Sequence, residues 1–389
     1  MSMAQAYIVE AVRTAGGRAR KGGLIGVHPA DLGATVLNAL VDRSGIDPQA
    51  IEDMILGCVT QAGEQAFAFG RNCVLASKLP ETTPAVTIDR QCGSSQQALQ
   101  FAAQAIMSGT QDVVIAAGAE SMTRVPMNSN WQMHLQNGVG TGPWPPSIQN
   151  RFGVKEFSQF HGAQAIADKY GFTREAMDAF ALESHAKAAA AIDSGAFDAE
   201  IVPVQTEDGV VDTDEGVRRG GTMEKMAEIQ PITEGGSITA ANASQMTDGA
   251  SGVLVVSEQA LKEHNLTPLA RLQQFSVSAG DPVIMLEEPI PATRKALAKT
   301  GMNLNDIDLF EVNEAFASVP MAWLKALEAD PAKLNVNGGA IALGHPLGVS
   351  GTKLMATLVH ALKARGGRYG LQTMCEGGGI ANVTIVEAL

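Results

Sequence analysis

Apolar positions along the chain form two alternating patterns, short continuous runs and longer stretches with helical spacing. The runs at 54–60 and 83–89 are typical of strands buried on both faces. From Ser95, apolar residues recur at helical intervals as far as Gly109, a residue suited to a helix C-terminus. A further buried strand follows at 112–120. A strand, a tight turn, a helix and a returning strand predict an α/β fold with parallel strand pairing.

The last third of the chain repeats this order of elements. A strand is predicted at 307–312, a helix follows Asn313, and a glycine-rich loop at 336–351 leads into another helix. A returning strand follows at 368–375. Because a small-residue turn, a helix of similar length and a strand recur in the same order, the pattern predicts a duplicated α/β unit.

The stretch between these two regions, residues 122–246, differs from them in composition and in its pattern of apolar residues. It contains proline-rich and aromatic segments, a polar segment and an amphipathic pattern that predicts a helix over 173–194. Long insertions in compact folds are usually functional loops, so we interpret this stretch as an inserted loop or lid domain. The predicted organisation is an N-terminal α/β half at 1–121, the loop domain at 122–246, completion of the N-terminal half at 247–268 and a C-terminal α/β half at 269–389.

The net charge and the hydropathy of the chain exclude some classes of binding partner. The 389 residues carry a formal net charge of −13, which argues against nucleic acid or an anionic membrane as the main partner, since both require a basic face. No run approaches the ~18 consecutive apolar residues of a membrane span. The first apolar run, at 6–13, predicts a strand and not a secretory signal, so we expect a cytoplasmic protein.

The cysteines and one histidine are the candidates for chemistry. The four cysteines form no C-x-x-C pair and no cluster at metal-ligand spacing, so neither disulfides nor a metal site is predicted. Cys92, Asn313 and Cys375 follow or end predicted strands, and His345 stands in the glycine-rich loop. Because ligands bind at the carboxyl ends of strands in open α/β sheets, we expect these four side chains to form one site.

Cys92 has two interpretations. Free cysteines are among the most buried residue types, so a structural thiol is one of them. The other is a nucleophile, because a helix N-terminus stabilises thiolate over thiol and Gly93, Ser94 and Ser95 would let a substrate approach closely. The residue and its neighbours leave both interpretations open.

His345 and Asn313 also have more than one interpretation. A lone histidine is often merely solvated or satisfied, but Pro346 restricts the backbone of His345, and a histidine fixed among glycines favours function. It would either take a proton from a thiol or, as an imidazolium, lower the pKa of that thiol. Asn313 suits either a helix N-cap or a side chain that orients a water or a carbonyl oxygen. Cys375 precedes three glycines, whose N–H groups would form an oxyanion hole in a flexible turn.

Four motifs together resemble the thiolases, the acyl-CoA acetyltransferases, and the resemblance covers essentially the whole chain. The motifs begin at Cys92 (C-G-S), Asn313 (N-E-A-F-A), Asn337 (N-G-G-A-I-A-L-G-H-P-L-G-V-S-G) and Cys375 (C-E-G-G-G). The resemblance implies a thiolase-like α/β fold of two similar βαβαβ halves, each with a five-stranded sheet, that share central helices and carry an inserted loop domain. It also implies a homodimer or a homotetramer.

The resemblance implies a role for each motif residue. Cys92 corresponds to the nucleophile that becomes acylated, and His345 to the residue that activates it and helps bind the thioester oxygen. Cys375 corresponds to the second catalytic cysteine, which moves the proton to or from the α-carbon or the incoming thiol. Asn313 corresponds to the asparagine that holds a water in the first oxyanion hole, and Gly377 to the glycine whose N–H joins that of Cys92 in the second.

The resemblance also implies the substrates and the reaction. Ser244 corresponds to a serine that contacts the pantetheine arm of coenzyme A, and Arg218 to an arginine beside its adenine. Acyl-CoA and CoA are the implied substrates, with no tightly bound cofactor and no metal. The implied reaction is CoA-dependent cleavage of a 3-oxoacyl-CoA to acyl-CoA and acetyl-CoA, or the reverse Claisen condensation, through an acyl-Cys92 intermediate.

Three departures from the usual motifs bear on the substrate. Ser95 stands where a glycine is usual, Asp89 stands where an asparagine is usual, and 158–164 replaces the M-G-x-T-A-E stretch that lines the acyl pocket of acetoacetyl-specific members. The pattern is therefore closer to degradative thiolases that accept bulkier acyl groups, steroid side chains included. The alternatives are a ketoacyl-synthase-like condensing enzyme and a non-catalytic carrier of acyl-CoA or lipid on the same scaffold.

Overall fold

The computed structural model of the protein describes residues 4–389. Strands β1 to β13 span, in order, Ala6–Thr14, Gly17–Arg18, Asp53–Gly57, Ala85–Ile88, Val113–Ser121, Ile201–Val202, Val204–Thr206, Gly209–Val211, Thr247–Ser257, Ala270–Ala279, Leu309–Val312, Tyr369–Glu376 and Ile380–Ala388. Helices α1 to α13 span, in order, Pro29–Ser44, Phe69–Ala76, Ser94–Met107, Ser129–Gln136, Pro146–Phe152, Gln159–Tyr170, Arg174–Asp193, Met223–Ala227, Glu258–Glu263, Pro289–Thr300, Ser318–Leu327, Ala340–Leu343 and Ser350–Arg365.

The strands form one large mixed sheet and a small hairpin. β7 and β8 make the hairpin, and the large sheet runs in the order β11-β12-β13-β10-β1-β9-β5-β3-β4, with β2 and β6 paired beside this path. β3 is parallel to both β4 and β5, and β11 is parallel to β12. The predicted α/β class with parallel strand pairing is confirmed.

The large sheet has two halves that meet at a short seam. β1 and β10 pair antiparallel over only two residues each, around Ile8 and Ala270. Five strands of the path lie on one side of this seam and four on the other. Within residues 4–389, only the first half therefore has the five strands that the resemblance implies for each half. Beside β11, where a fifth strand would lie, an isolated parallel bridge joins Phe310 to Leu334.

Helices α3 and α13 lie between the two halves. They contact each other and strands of both halves, and Leu99 of α3, Leu358 of α13, Val253 of β9 and Val386 of β13 belong to one buried cluster. α1 and α2 cover the other face of the first half, and α10 and α11 that of the second. Because both halves bury an apolar face against the same two helices, these helices fix the halves relative to each other. The implied shared central helices are confirmed.

Two helices show how well the local pattern predicts helix starts. α3 begins at Ser94 and ends at Met107, and Gly109 beyond it has a left-handed φ of 74°. α7 begins after Thr173, whose hydroxyl accepts a hydrogen bond from the N–H of Ala176 and so caps the helix. Both helices start within one residue of the predicted positions.

The inserted region packs closely against both halves. It carries α4 to α8 and β6 to β8. β6 pairs with β1, α6 contacts α11 and α7 contacts α12. The boundaries that we assign to the four segments of the chain stay a prediction.

Two negative findings concern membranes and metals. None of the helices within residues 4–389 combines the length and the apolar character that a membrane crossing requires. The same part of the chain holds no group of three or more His, Cys, Asp and Glu side chains arranged to bind a metal ion.

Candidate active site

Cys92 lies in the tight turn between β4 and α3. Gln91, the residue before it, has a left-handed φ of 48°, and the N–H of Gly93 donates to the carbonyl of Arg90 at 3.1 Å. A left-handed φ in a non-glycine residue is uncommon and such strain clusters at functional sites. The turn therefore presents the Cys92 thiol just ahead of the N-terminus of α3.

The surroundings of Cys92 differ from those of a structural cysteine. Cys58 and Cys73 are fully buried in the core of the first half, whereas Cys92 is half-buried. Cys92 packs against a small apolar cluster that includes Met122 and Leu347. Leu347 lies two residues after His345, so the thiol meets the glycine-rich loop of the second half.

His345 is buried and is held from both sides of its ring. Its Nδ1 lies 2.5 Å from the hydroxyl of Ser350, and that hydroxyl donates to the carbonyl of Pro346 at 2.9 Å. Because the single hydroxyl proton of Ser350 is directed at Pro346, we assign the imidazole proton to Nδ1. Nε2 is then the unprotonated nitrogen, and it lies 3.4 Å from Nδ2 of Asn313.

The environment keeps His345 neutral. Burial disfavours the imidazolium, and the nearby ammonium of Lys353 repels it, so the pKa of His345 falls to about 3. Lys353 also holds the loop, since its Nζ donates to the carbonyls of Leu343 and Gly344 at 2.6 and 3.2 Å. In the neutral imidazole, Nε2 is therefore a hydrogen-bond acceptor.

Asn313 is buried between the two strand ends and is not a helix cap. The next helix, α11, begins only at Ser318, so the N-cap interpretation is wrong. The backbone N–H of Asn313 donates to the carbonyl of Thr373 at 3.1 Å, which ties the residue to β12. Within residues 4–389 its Oδ1 has no hydrogen-bond partner. An unpaired buried acceptor is suited to a water or a substrate donor.

Cys375 lies one residue before the end of β12 and is fully buried. The glycines after it form the turn of a β-hairpin, in which Gly378 and Gly379 have left-handed φ values of 87° and 75°. The expected glycine turn is therefore present, and it closes a paired hairpin. Gly377 lies against the side chain of Gln91, and this contact brings the hairpin beside Cys92.

Both thiols of the site hold their protons. Burial raises the pKa of Cys375 to about 12. Burial also raises the pKa of Cys92 well above its usual range, and the neighbouring Cys375 and Glu376 raise it further when they are ionised. The expectation that the N-terminus of α3 makes Cys92 a thiolate is therefore wrong for the resting protein, since burial is the largest influence on this pKa and raises it.

Sequence reasoning missed several polar residues that hold the site together. Ser350 and Lys353 lie in and just after the glycine-rich motif, so their positions beside His345 were a usable signal. Nothing in the sequence around Glu120 indicated that it lies near the site. Its buried carboxylate accepts the N–H groups of Thr60 at 2.8 Å and Gly348 at 2.5 Å, and so joins β5 of the first half to the loop of the second.

A separate cleft of about 210 Å³ contains Arg218. The cations that line it are Arg218, Arg219 and Lys225, of which only Arg218 was predicted from the sequence. The backbone N–H of Arg218 donates to Nδ1 of His185 at 3.1 Å, which fixes the loop that carries the arginines. Two adjacent arginines in an acidic chain indicate a positively charged binding site, and this signal was present in the sequence.

One segment links this cleft to His345. Gln245 lines the cleft, and its carbonyl accepts the backbone N–H of His345 at 2.9 Å. Ser244, the residue before it, is half-buried and donates its N–H to the carbonyl of Ala315 at 2.9 Å. The structure therefore places Ser244 between the cationic cleft and the residues around Cys92, although Ser244 is not part of the cleft wall.

Comparison with known proteins adds an independent line of support. The thiolase N-terminal domain matches residues 6–259, and the thiolase C-terminal domain matches residues 266–388. The chain belongs to the thiolase family. This thiolase is 55% identical to the steroid 3-ketoacyl-CoA thiolase FadA6 of Mycobacterium tuberculosis, over 100% of this chain and 95% of that protein. It is 40% identical to a 3-ketoacyl-CoA thiolase of Bacillus subtilis, over 99% and 100% of the two chains.

The fold of this thiolase is shared with a solved structure. The crystal structure of the Bacillus anthracis acetyl-CoA acetyltransferase is similar with a TM-score of 0.91 and 37% identity over 100% of both chains. These matches confirm the family that the four motifs indicated, and the enzyme is an acyltransferase. The alternatives of a ketoacyl-synthase-like enzyme and a non-catalytic carrier are set aside.

Proposed function

We propose that this thiolase cleaves 3-oxoacyl-CoA with coenzyme A and carries the acyl group on Cys92. The observation that supports this most is the contrast within one site between a half-buried thiol, Cys92, and a fully buried thiol, Cys375, beside a neutral His345. The less buried of the two residues suits attack on a carbonyl carbon, and the fully buried one suits proton transfer.

The first half-reaction forms the acyl-enzyme. Nε2 of His345 takes the thiol proton of Cys92, and the sulfur attacks the 3-keto carbon. The bond between the α-carbon and that keto carbon then breaks, and the α-carbon takes the proton of Cys375, which releases acetyl-CoA. Cys92 now carries the acyl group as a thioester, and Cys375 is a thiolate.

The second half-reaction regenerates the enzyme. The Cys375 thiolate takes the thiol proton of an incoming CoA, whose sulfur attacks the thioester on Cys92. Cys92 leaves as a thiolate and recovers its proton from His345, which frees the new acyl-CoA. No proton is lost to solvent over the cycle, and the reverse sequence is a Claisen condensation. Dividing the reaction into two thioester exchanges is the gain from covalent catalysis.

Preorganised donors would stabilise the oxyanions of both steps. Asn313, through a water, and His345 would serve the enolate oxygen, and the N–H groups of Cys92 and Gly377 the tetrahedral intermediate. The unpaired Oδ1 of Asn313 supports this assignment, because it is a free acceptor for such a water. Each donor of this kind contributes up to about 4 kcal/mol to transition-state stability.

The cationic cleft supports coenzyme A as a substrate. Arg218, Arg219 and Lys225 would meet the phosphate and adenine end of CoA, and Ser244 would contact its pantetheine arm on the way to Cys92. CoA enters and leaves in each cycle, so we assign no tightly bound cofactor. The acidic net charge of −13 makes this local cluster of cations necessary for a polyanionic ligand.

The acyl group is assigned as bulky, of the steroid side-chain class. Segment 158–164, which replaces the usual pocket motif, forms the start of α6. Phe160 in this segment is 37% exposed and meets the ring of Phe316 edge-on, with centroids 5.6 Å apart. Phe316 is buried and lies three residues after Asn313 in the chain, so α6 packs an aromatic side chain onto the segment that carries Asn313. The steroid 3-ketoacyl-CoA thiolase among the relatives supports the same class.

The assembly is assigned as a homodimer or a pair of dimers that works in the cytoplasm. β4 is an edge strand of the large sheet, with Val86 46% exposed, and Phe67 near it is 92% exposed. Exposed apolar edge strands invite pairing with a second chain, which supports dimer formation here. A reducing compartment suits the two thiols, both of which must stay unoxidised.

Acetyl-CoA release from a series of 3-oxoacyl-CoA esters tests this function. With free CoA supplied, we expect release from esters with long or steroid side chains at a kcat/KM at least about tenfold above that of the four-carbon ester, which lacks the apolar contact. A preference for the four-carbon ester would overturn the acyl assignment alone. Absence of acetyl-CoA from every ester would overturn the proposed function.

A further inference from the structure

Glu376 is a buried carboxyl group that the mechanism above does not use. It follows Cys375 as the last residue of β12 and is fully buried. Neither of its carboxyl oxygens has a hydrogen-bond partner within residues 4–389. Burying a carboxyl group without a partner costs stability, and the ionised form costs most. Packing alone therefore does not account for a glutamate at this position.

The Glu376 side chain lies at the start of α3, beside the residue that follows Cys92. A Cβ atom added to Gly93 would collide with the Glu376 carboxyl group, so the two are in close contact. Asn382, opposite on β13, donates its Nδ2 to the carbonyl of Gly93 at 3.2 Å, and its Oδ1 is also unpaired. A carboxyl group therefore occupies the helix N-terminus from which the Cys92 thiolate would gain stability.

Several charged or titratable groups face this carboxyl group and Cys92. Arg90 and Asp89 approach Glu376 from the segment before α3, and Cys375 precedes it on β12. Glu120 faces Cys92 from β5. Burial outweighs the attraction of Arg90 and raises the pKa of Glu376 well above its ordinary range, so the neutral carboxyl group persists to higher pH.

We propose that Glu376 is a positioning residue that acts on Cys92 through its charge. While its carboxyl group is neutral, the N-terminus of α3 is free to stabilise the Cys92 thiolate formed during catalysis. Once the carboxyl group is ionised, its negative charge opposes that thiolate. This inference rests on the proposed role of Cys92 as the nucleophile.

The sign of the effect follows from the charge of the carboxyl group. Where Glu376 is ionised, its negative charge raises the pKa of Cys92. Cys92 then ionises beside a negative charge. Removing the carboxyl group should therefore let Cys92 ionise at lower pH.

Alkylation of Cys92 by iodoacetamide tests this directly, since only the thiolate reacts. The rate is followed on the Cys92 peptide by mass spectrometry, without substrate, from about pH 6 to about pH 10, which covers the rise of the alkylation rate below the raised pKa of Cys92. In Glu376→Gln we expect the midpoint to fall by about one pH unit, so that alkylation is about tenfold faster at each pH below it where the wild-type carboxyl group is ionised. At lower pH, where that carboxyl group is neutral, the two rates should be equal. Glu376→Met should give the same shift.

Two comparisons make the result decisive. Glu311→Gln is the matched control, because Glu311 is a buried carboxyl group on β11 that does not act on either thiol, and its profile should equal that of the wild type. Glu376→Met replaces an unpaired buried carboxyl group by an apolar side chain of similar size and is expected to fold, so it decides alone if the Gln variant does not.

The proposal is overturned if the profiles of the folded Glu376 variants coincide with that of the wild type. An equal shift in Glu311→Gln would overturn it as well. Because no substrate is present, an unshifted profile in a protein that still releases acetyl-CoA removes the role of Glu376 and leaves the proposed function standing.

Discussion

The two halves of the sheet each deliver a cysteine to the site, and they do so with different elements. In the first half, β4 leads through a strained turn into α3, and Cys92 stays half-buried. In the second half, β12 turns back on itself into β13 as a hairpin, and Cys375 is fully buried. The turn before α3 leaves Cys92 half-buried, although Ser94 and Ser95 at the start of the helix are buried, whereas the returning strand covers Cys375. The two thiols of the site therefore differ in burial.

The proposed role of His345 connects the two thiols. Burial holds its pKa at about 3, so the imidazole is neutral throughout the physiological range. Burial also raises the pKa of Cys375 to about 12, so that thiol keeps its proton in the resting protein. The comparison therefore assigns nucleophilic attack to the first half of the sheet and proton transfer to the second.

Removing the accessible thiol should have the largest effect. Cys92→Ala eliminates the only atom proposed to form a covalent bond to the acyl group, and we expect kcat for acetyl-CoA release to fall by at least about 10⁴-fold. Steady-state release from a 3-oxoacyl-CoA with free CoA measures this. Activity within tenfold of the wild type would show that the two thiols do not differ in the way the fold suggests.

Changing the buried thiol should separate the two halves of the reaction. In Cys375→Ser the hydroxyl group is a poorer acid than the thiol, so we expect turnover to fall by about 10²- to 10⁴-fold while some Cys92 acylation from acyl-CoA survives. Cys73→Ser is the matched control, because Cys73 is an equally buried thiol outside the site. Equal losses of acylation and turnover in Cys375→Ser would contradict the division of roles.

The strands that carry these residues were predictable because their signal is local. The run at 83–89 contains β4, which leads to Cys92, and the run at 368–375 overlaps β12, which carries Cys375. Helix starts followed the same rule, as the cap of α7 by Thr173 shows. Helix α1 was not predicted, although Leu32, Val36 and Leu40 have helical spacing and are buried.

The errors arose where distant residues outweigh a local preference. Asn313 resembles a helix cap, but the next residue, Glu314, accepts hydrogen bonds from Ser184 at 2.6 Å and Asn335 at 2.9 Å, far away in the chain. These contacts hold the segment as a buried loop, and α11 starts later. The predicted thiolate of Cys92 failed similarly, since burial by the second half is invisible in a local motif.

Removing the side chain that orients His345 should have the smallest effect of the three substitutions. Ser350→Ala removes the acceptor of the His345 Nδ1 proton, and we expect kcat to fall about tenfold with KM nearly unchanged, as for other residues that orient a functional histidine. Ser350→Thr, which keeps the hydroxyl group, should recover activity. Ser251→Ala is a control, because Ser251 is a buried serine that bonds Val349 and Thr352 instead. A matching loss in Ser251→Ala would indicate a general packing defect.

The location of the covalent acyl group tests the central claim most directly. The wild-type protein and Cys92→Ala are mixed with a 3-oxoacyl-CoA without free CoA, digested, and analysed by peptide mass spectrometry. We predict the acyl mass on the peptide that contains Cys92 in the wild type, and no acylated peptide in the variant. An acyl group on the peptide that contains Cys375, or one retained in Cys92→Ala, would contradict the account.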